Sequence, residues 1–586
     1  MQPLSDLLTG LLSDAFARCG LDPEYGQVVL SQRPDLCQFQ CNGALAAART
    51  VQQNPRNVAQ AVAAAIAERD TYFANVEIAG PGYINLTLAD EFLAQYAAAI
   101  AADVRLLCPP ISAPARVVID FGGLNIAKSM HVGHLRSSVI GESLQRIFRF
   151  AGDSVVSDVH LGDWGTQIGM VICELRRRSP DLVYFDAAYT GPYPDTSPVN
   201  MTDLEEIYPE AAARCAANLQ EMQAALQATT ELQRGRPGYR ALWQHLHDVS
   251  VGAMQELLGR LDVHFDLWYG ESDVHDRIPA LLQRLQAAGS AVLSDGALVV
   301  PVAAEGESMP PLLLAKSDGS YLYGTTDLAT IEERVQDLRA ERVLYVVDKR
   351  QSLHFEQLFR AARRTGIAKD AALEHVTFGT VNGPDGKPFK TRQGGVMRLN
   401  DLVGMAIDEA RKRMGEIGVA EDYAPAEQQA VAEKVAVAAL KFADLANYRA
   451  SNYIFDLEKF TRFEGRTGPY LLYAAVRIKS LLRKAAERNF FPGRFVPPTG
   501  VDRDLILQLS RFPDAVRTAY VERAPHHLSE FAFDLAQVFS RFYQNCPILV
   551  EPDAARRESW LALAQLCLRE LEVTLGLLGI EVPERM

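Results

Sequence analysis

The sequence predicts a multidomain α/β protein: a parallel-sheet core carrying an insertion, an α+β unit before it, and an all-α helical bundle after it. Three observations carry this prediction. Short β-branched runs alternate with helical patterns from Val117 to about residue 420, as expected of strands joined by crossover helices. Two proline-containing stretches, Cys108-Pro-Pro-Ile-Ser-Ala-Pro114 and Tyr423-Ala-Pro-Ala426, read as linkers. From Glu427 onward nearly everything has amphipathic helical spacing. The boundaries that follow are 1–107, 114–420 with an insertion at about 180–300, and 427–586.

The elements follow in chain order. In the first unit, helical runs, including the alanine-rich Val58 to Arg69, precede a strand from Phe73 to Ile78. Gly80-Pro81-Gly82 makes a turn, and Tyr83 to Leu88 alternates as a second strand. Val117-Val118-Ile119-Asp120-Phe121 is a short apolar run, the pattern of a parallel strand buried on both faces. Gly122-Gly123-Leu124 breaks it, and from His134 the spacing of Leu135, Ile140, Leu144, Ile147 and Phe148 is helical. A strand from Ser154 to His160 extends this strand–helix–strand core, which is Rossmann-like. The insertion is largely helical, then mixed. The α/β pattern resumes at Leu322-Tyr323, with strands expected over Arg342–Asp348 and Val376–Val381.

At 586 residues, with 48% hydrophobic and 23% charged residues, the chain has material for about three or four globular domains. No window approaches the roughly 20 apolar residues of a membrane span. The start Met1-Gln-Pro-Leu-Ser-Asp lacks the basic residues and small-residue cleavage site of a secretory leader, so a cytoplasmic location is expected. Eight scattered cysteines fit reduced thiols, and Cys37 and Cys41 alone are weak evidence for a metal. The net charge of −14 taken as a sum argues against nucleic acid, but distribution matters more than the sum. Between Lys441 and Gly500, eleven basic residues face five acids and are interleaved with Tyr448, Tyr453, Phe455, Tyr470 and Tyr473. Tyr448, Tyr453 and Arg462 there are candidate contacts to unstacked RNA bases and phosphates. The competing reading is a solvated helical face over an aromatic core.

The densest chemistry lies in Asn125-Ile-Ala-Lys128-Ser-Met-His131-Val-Gly-His134, where a strand hands over to a helix. His131 and His134 are three residues apart, so their rings leave one face of the first helical turn. Unpaired N–H groups and the helix dipole favour anions there, and two imidazoles can follow charge through a phosphoryl transition state. Zinc is a poorer fit because no third and fourth ligands accompany the pair, so no metal ligands are assigned. A dinucleotide site would need G-x-G-x-x-G, which is absent. Gly133 leaves room for a flat group against the backbone.

Asp385-Gly386-Lys387-Pro388-Phe389-Lys390-Thr391-Arg392 is a basic loop suited to closing over a triphosphate, or else a solvated hairpin turn. Tyr323 and Asp327, four apart at a predicted helix start, can grip a guanidinium, with Asp120 pointing toward the same crevice. The alternative is that Asp327 caps the helix. His160-Leu-Gly162-Asp163-Trp164-Gly165-Thr166-Gln167 forms a glycine-bracketed turn at the same sheet edge.

With these segments in order, the chain resembles the arginyl-tRNA synthetases of class I, essentially end to end. His131-Val-Gly-His134 is similar to the class I HIGH signature, and the residues from Asn125 to Ser137 resemble the arginine enzymes' version of it. Gly162-Asp-Trp-Gly-Thr-Gln167, Leu344-Tyr-Val-Val-Asp-Lys-Arg-Gln351, Phe463-Glu-Gly-Arg-Thr-Gly-Pro-Tyr470 and Leu577-Leu-Gly-Ile-Glu-Val-Pro-Glu-Arg-Met586 are family-like too.

The resemblance implies ATP-dependent attachment of L-arginine to its tRNA, with Mg²⁺ assisting, by a monomer. It implies ATP contacts at His131, Gly133, His134 and Lys390, and arginine contacts at Asp120, Asn125, Tyr323, Asp327 and Gln351. Lys128, Lys387 and Lys390 join the histidines in catalysis. The first unit reads the tRNA elbow near Tyr83 and Asn85, the C-terminal helices bind the anticodon, and Met586 lies beside that surface. Two departures stand out. Gly123-Leu124 replaces the family's frequent Ser-Pro, and the KMSK loop appears only as Pro388-Phe-Lys-Thr-Arg392. Lys128, three residues before the first histidine, takes the place of the missing loop lysine.

Overall fold

A computed structural model of the chain describes residues 1–33, 36–67, 71–317, 320–383, 386, 397–418 and 422–586. The described chain falls into two compact units: Met1–Pro110 with Phe463–Leu577 and Glu581–Met586, and Ile111–Arg462 with Leu578–Ile580.

In the first unit, the N-terminal segment forms a four-stranded antiparallel sheet, ordered 28–30, 39–41, 83–88, 73–79. Tyr83–Leu88 is the strand its alternation predicts, and Ile84, Leu86 and Leu88 are fully buried. The predicted alanine-rich helix runs over Pro55–Ala67, and the last two residues of that prediction, 68 and 69, lie outside the described residues. Five longer helices complete the unit: Gly468–Glu487, Val501–Leu509, Phe512–Glu522, His526–Asn545 and Ala554–Leu577. Arginines fasten them to the N-terminal segment. Arg569 donates to the carbonyls of Ala101 and Asp103 at 2.9 and 2.7 Å, and Arg517 forks onto Asp6 at 2.8 and 2.6 Å.

The second unit is built on four parallel strands. In chain order its elements are β1 (Arg116–Asp120), α1 (Val132–Ala151), β2 (Ser154–Asp158), α2 (Thr166–Arg178), α3 (Met201–Ala217), α4 (Tyr323–Gln336), β3 (Arg342–Tyr345), α5 (Ser352–Arg364), β4 (Ala372–His375) and α6 (Pro425–Leu445). The sheet order is β4-β3-β1-β2. Val117, Val118 and Ile119 are buried, as a strand covered on both faces requires. Asp120 registers with Tyr345 on one side and Asp158 on the other, so these three side chains share the C-terminal edge. The crossover direction reverses between β1 and β3, the switch point at which open α/β sheets bind ligands.

α1 packs on this sheet through Leu135, Val139, Ile140, Leu144, Ile147 and Phe148 and ends at Gly152, whose φ of 111° suits glycine. Its mid-helix Gly141 has a packing cause. A Cβ there would lie 2.1 Å from the Phe121 ring. Against α6, Arg136 and Asp444 pair at 3.2 Å with almost no exposure. The inserted residues form helices and a three-stranded antiparallel sheet over 292–294, 297–300 and 312–315.

The strand expected over Val376–Val381 is a correction. The residues that pair with Arg342–Tyr345 are Ala372–His375, and Val381-Asn382 pair separately with Tyr453-Ile454. Register with β3 outweighs the β-branched composition of the later run. The strand predicted to reach His160 stops at Asp158, and His160 takes a positive φ of 44°.

Candidate active site

The site starts where β1 ends. Gly122 and Gly123 take φ of 95° and 60°, turning the chain off the sheet. The Gly122 N–H donates to Ser137 Oγ at 2.8 Å, and that hydroxyl donates to the Val346 carbonyl at 2.7 Å, tying β1, α1 and β3 together. The segment after β1 then pairs with the segment after β2. Gly162 N–H donates to the Leu124 carbonyl at 2.8 Å, and Ile126 N–H donates to the Gly162 carbonyl at 3.2 Å. Asn125 Oδ1 would lie 2.3 Å from any Cβ at Gly162, so glycine there lets the Asn125 side chain in.

His131 is the N-cap of α1, and its backbone N–H donates to His134 Nδ1 at 3.1 Å. The two rings stack with centroids 3.8 Å apart and planes 16° apart. Burial, then His131, then the charge of Lys128 hold His134 down at about 3, and burial and Lys128 lower His131 as well. Two neutral imidazoles therefore sit at a helix N-terminus. Because His134 Nδ1 accepts a hydrogen bond, its proton belongs on Nε2. His131 Nδ1 is buried without a hydrogen-bond partner. A Cβ at Gly133 would meet the His131 ring at 2.8 Å, so the glycine makes room for that ring. Lys128 Nζ stands 5.7 Å from the Tyr208 ring centre.

Lys387 and Lys390 lie outside the described residues, but the chain that follows them is fixed to the histidine turn. Val132 N–H donates to the Met397 carbonyl at 3.0 Å, and Leu399 N–H donates to the Met130 carbonyl at 2.9 Å. Glu205 on α3 accepts from Ser129 Oγ at 2.7 Å and from Arg398 at 2.6 Å.

Asp120 sits at the sheet edge, but its carboxylate is engaged. Arg334 Nη1 lies 2.7 Å from Asp120 and Nη2 lies 2.7 Å from Asp158, with the guanidinium 5.3 Å from the Tyr345 ring centre. Burial opposes the Arg334 charge, but Asp120, Tyr345 and Asp158 outweigh it and hold its titration well above the ordinary range. Tyr323 opens α4, and the N-cap is Leu322, so Asp327 lies inside the helix and does not cap it. Asp327 Oδ2 lies 2.6 Å from His354 Nε2, and the His354 ring packs on Tyr323 at 4.8 Å. Gln351 is exposed, just before α5. Glu271 is nearby, its carboxyl pushed up to about 7 by burial despite His160, with Asp163 and Asp327 adding to the rise.

The expected RNA contacts differ in character. Tyr448 and Arg462 are exposed, whereas Tyr453 is buried with its hydroxyl on Asp444 at 3.1 Å. Tyr83 is half-buried, Asn85 is buried and accepts from Gln40 Nε2 at 2.8 Å, and Met586 is half-buried. Sequence reasoning missed Arg334, His354, Glu205 and Glu271. Two of these carried a spacing signal: His354 lies three residues beyond Gln351, and Arg334 lies seven beyond Asp327 on the face of one helix.

The comparisons agree along the whole chain. Residues 97–457 match the family described as tRNA synthetases class I (R), catalytic domain. Residues 471–586 match the DALR anticodon binding domain, and 5–88 match the arginyl tRNA synthetase N terminal domain. An arginine–tRNA ligase of Maricaulis maris (strain MCS10) is 52% identical, and one of Hyphomonas neptunium (strain ATCC 15444) is 51% identical, each over 100% of both chains. The crystal structure of arginyl-tRNA synthetase from Plasmodium falciparum has the same fold, with a TM-score of 0.79 over 100% of both chains at 24% identity. On full-length identity to these ligases and a catalytic domain of the matching class, the chain belongs to the arginyl-tRNA synthetase family of class I aminoacyl-tRNA synthetases.

Proposed function

We propose that the chain attaches L-arginine to the 3′ end of its cognate tRNA in two steps, with the residues placed as follows. In the first step the arginine carboxylate attacks the ATP α-phosphate, the bond to the β-phosphate breaks, and pyrophosphate leaves arginyl-adenylate. In the second, a terminal ribose hydroxyl of the tRNA attacks the adenylate carbonyl, AMP leaves, and the hydroxyl proton passes to solvent or to the leaving phosphate. Positioning and electrostatics suffice for both, and neither needs a covalent nucleophile.

The observation that carries this reading is the stacked, neutral His131–His134 pair at the switch-point edge of the sheet. His134, with its proton on Nε2, donates to the phosphoryl oxygens as charge builds on them, His131 does the same, and Gly133 keeps the turn open to ATP. Lys128 supplies positive charge beside the pair, and Lys387 and Lys390 supply it from the loop. Asp327 receives the substrate guanidinium with Tyr323, and Asn125 and Gln351 hold the remainder of the amino acid. Asp120, expected as a further arginine contact, lies at the same sheet edge with its carboxylate paired to Arg334.

No group of three or more metal-ligating side chains occurs among the described residues. Mg²⁺, when bound with ATP, would supply positive charge at the phosphates and would need few protein ligands. Residues 114–420 carry the chemistry, 1–107 read the tRNA elbow near Tyr83 and Asn85, and 427–586 bind the anticodon. Tyr448, Arg462 and, separately, Met586 are assigned as tRNA contacts, and buried Tyr453, held on Asp444, is not itself a contact. Among the described residues no helix is long and apolar enough to cross a membrane. The family resemblance supports work in the cytoplasm, as a monomer.

Aminoacylation of total tRNA with each amino acid in turn tests the reading. Charging with arginine alone, together with pyrophosphate exchange that requires tRNA, is expected. Charging with another amino acid, or exchange indifferent to tRNA, overturns it.

A further inference from the structure

We propose that His354 is a positioning residue for arginine selection, acting through Asp327. The inference rests on the reading that Asp327 receives the substrate guanidinium. Its starting point is one contact: His354 Nε2 lies 2.6 Å from Asp327 Oδ2. A carboxylate on a free side chain rotates about its last bond, and its two oxygens sweep a cone. Recognition of a planar guanidinium by a two-point fork needs both the plane and the direction of the carboxylate fixed. One hydrogen bond to Oδ2 restrains that rotation and leaves Oδ1 and a second lone pair on Oδ2 to the ligand.

The burial order fits this role. The Asp327 side chain keeps 27% of its surface exposed and His354 only 13%, so the carboxylate is the more accessible partner and the imidazole its support. The imidazole is itself held. Its ring meets Tyr323 edge-on at 4.8 Å and Phe355 at 5.4 Å. Tyr323 lies one turn before Asp327 on α4, so two residues of one helix and two of α5 lock together. An imidazole N–H also suits the chemistry better than an ammonium would. It orients the carboxylate through one bond, whereas a lysine at this place would satisfy Asp327 with a full charge and displace the substrate cation. Gln351 lies one helical turn before His354, so α5 sets the polar end of the pocket from both positions.

The test uses the full chain at saturating tRNA and measures pyrophosphate exchange for His354→Ala, His354→Gln, Asp327→Asn and the double variant His354→Ala/Asp327→Asn. His354→Ala is expected to raise KM for arginine about tenfold, the size of one lost charge-assisted hydrogen bond, with kcat and KM for ATP within about twofold of the parent. His354→Gln keeps an N–H donor and is expected to recover most of that loss. The double variant is expected to match Asp327→Asn alone, because His354 then has no carboxylate to orient. Thermal unfolding of each variant separates this from damage to the fold, which would raise both KM values together. Equal impairment of the alanine and glutamine variants, a parallel rise in KM for ATP, or multiplying effects in the double variant would overturn the role of His354. An unchanged KM for arginine in Asp327→Asn would instead remove the guanidinium reading on which it rests.

Discussion

His134 accepts the His131 backbone N–H at Nδ1, and that one contact decides which nitrogen carries its proton. Loss of the Nε2–H donor should therefore damage the chemical step and leave ATP binding nearly intact. His134→Ala is expected to slow adenylate formation by about 10²–10³-fold, the usual effect of deleting one such donor, with a smaller effect from His131→Ala. Single-turnover activation at saturating ATP checks this, and an undiminished rate in a folded His134→Ala variant would remove the role. The same ring makes a pH prediction. Its folded titration is held at about 3, while unfolding returns it to its ordinary 6.5. The unfolded chain then binds the extra proton between those values, so this residue lowers stability as pH falls from 6.5 toward 3. Melting curves of the parent and His134→Asn should draw together as pH is lowered from 7 to 5. The histidine pair was legible in the sequence because three-residue spacing at a helix start fixes a shared face. His354 carried only its three-residue spacing from Gln351; its pairing with Asp327, 27 residues away on another helix, comes from the packing of α4 on α5 alone.

At the scale of elements, α1 shows how packing overrides propensity. Glycine inside a helix is disfavoured by about 1 kcal/mol relative to alanine. Gly141 persists because the Phe121 ring fills the space a Cβ would take, only 2.1 Å away. Gly141→Ala should therefore destabilise the protein, by about 1–3 kcal/mol as for other overpacked cores, despite its better helix propensity. A melting temperature equal to or above the parent's would contradict this. The strands of the central sheet were legible where a run is apolar on both faces, as in Val117–Ile119. They were misplaced where composition and pairing disagree: β-branched residues after Val376 look more strand-like than Ala372–His375, yet only the latter reach β3 in register. α3 falls in a stretch legible only as a largely helical insertion, and not as part of the site. Glu205 becomes a link between Ser129 and Arg398 only once the insertion folds back on the histidine turn.

At the scale of the whole molecule, the far end of the chain returns to the unit that holds the site. Leu578–Ile580 cluster with residues 111–462, although the helix before them belongs to the other unit. Leu578 and Ile580 are buried, and Lys441 of α6 donates to the Gly579 carbonyl at 2.6 Å and to the Asp262 carbonyl at 3.0 Å. The sequence marked Leu577–Met586 as family-like, but not the buried lysine that receives part of it. Burial lowers Lys441 from 10.5 to about 7, against the pull of Asp262 and Glu142, with Arg146 adding to the fall. The sign of the consequence is fixed. The unfolded lysine keeps its proton up to about 10.5 and the folded one loses it near 7, so the unfolded chain binds more protons between those values. Stability contributed by this residue therefore rises with pH through that window, and below pH 7 the full penalty of a buried charge remains. Lys441→Met keeps the length of the side chain and removes the titration. The parent should gain stability over this variant as pH rises from 7 to 9, by an amount on the order of 1 kcal/mol or more, since each unit of the window is worth about 1.4 kcal/mol. Denaturant unfolding of both proteins at each pH measures the gap. Parallel stability curves would mean that the folded Lys441 keeps its proton across this range, as the unfolded one does.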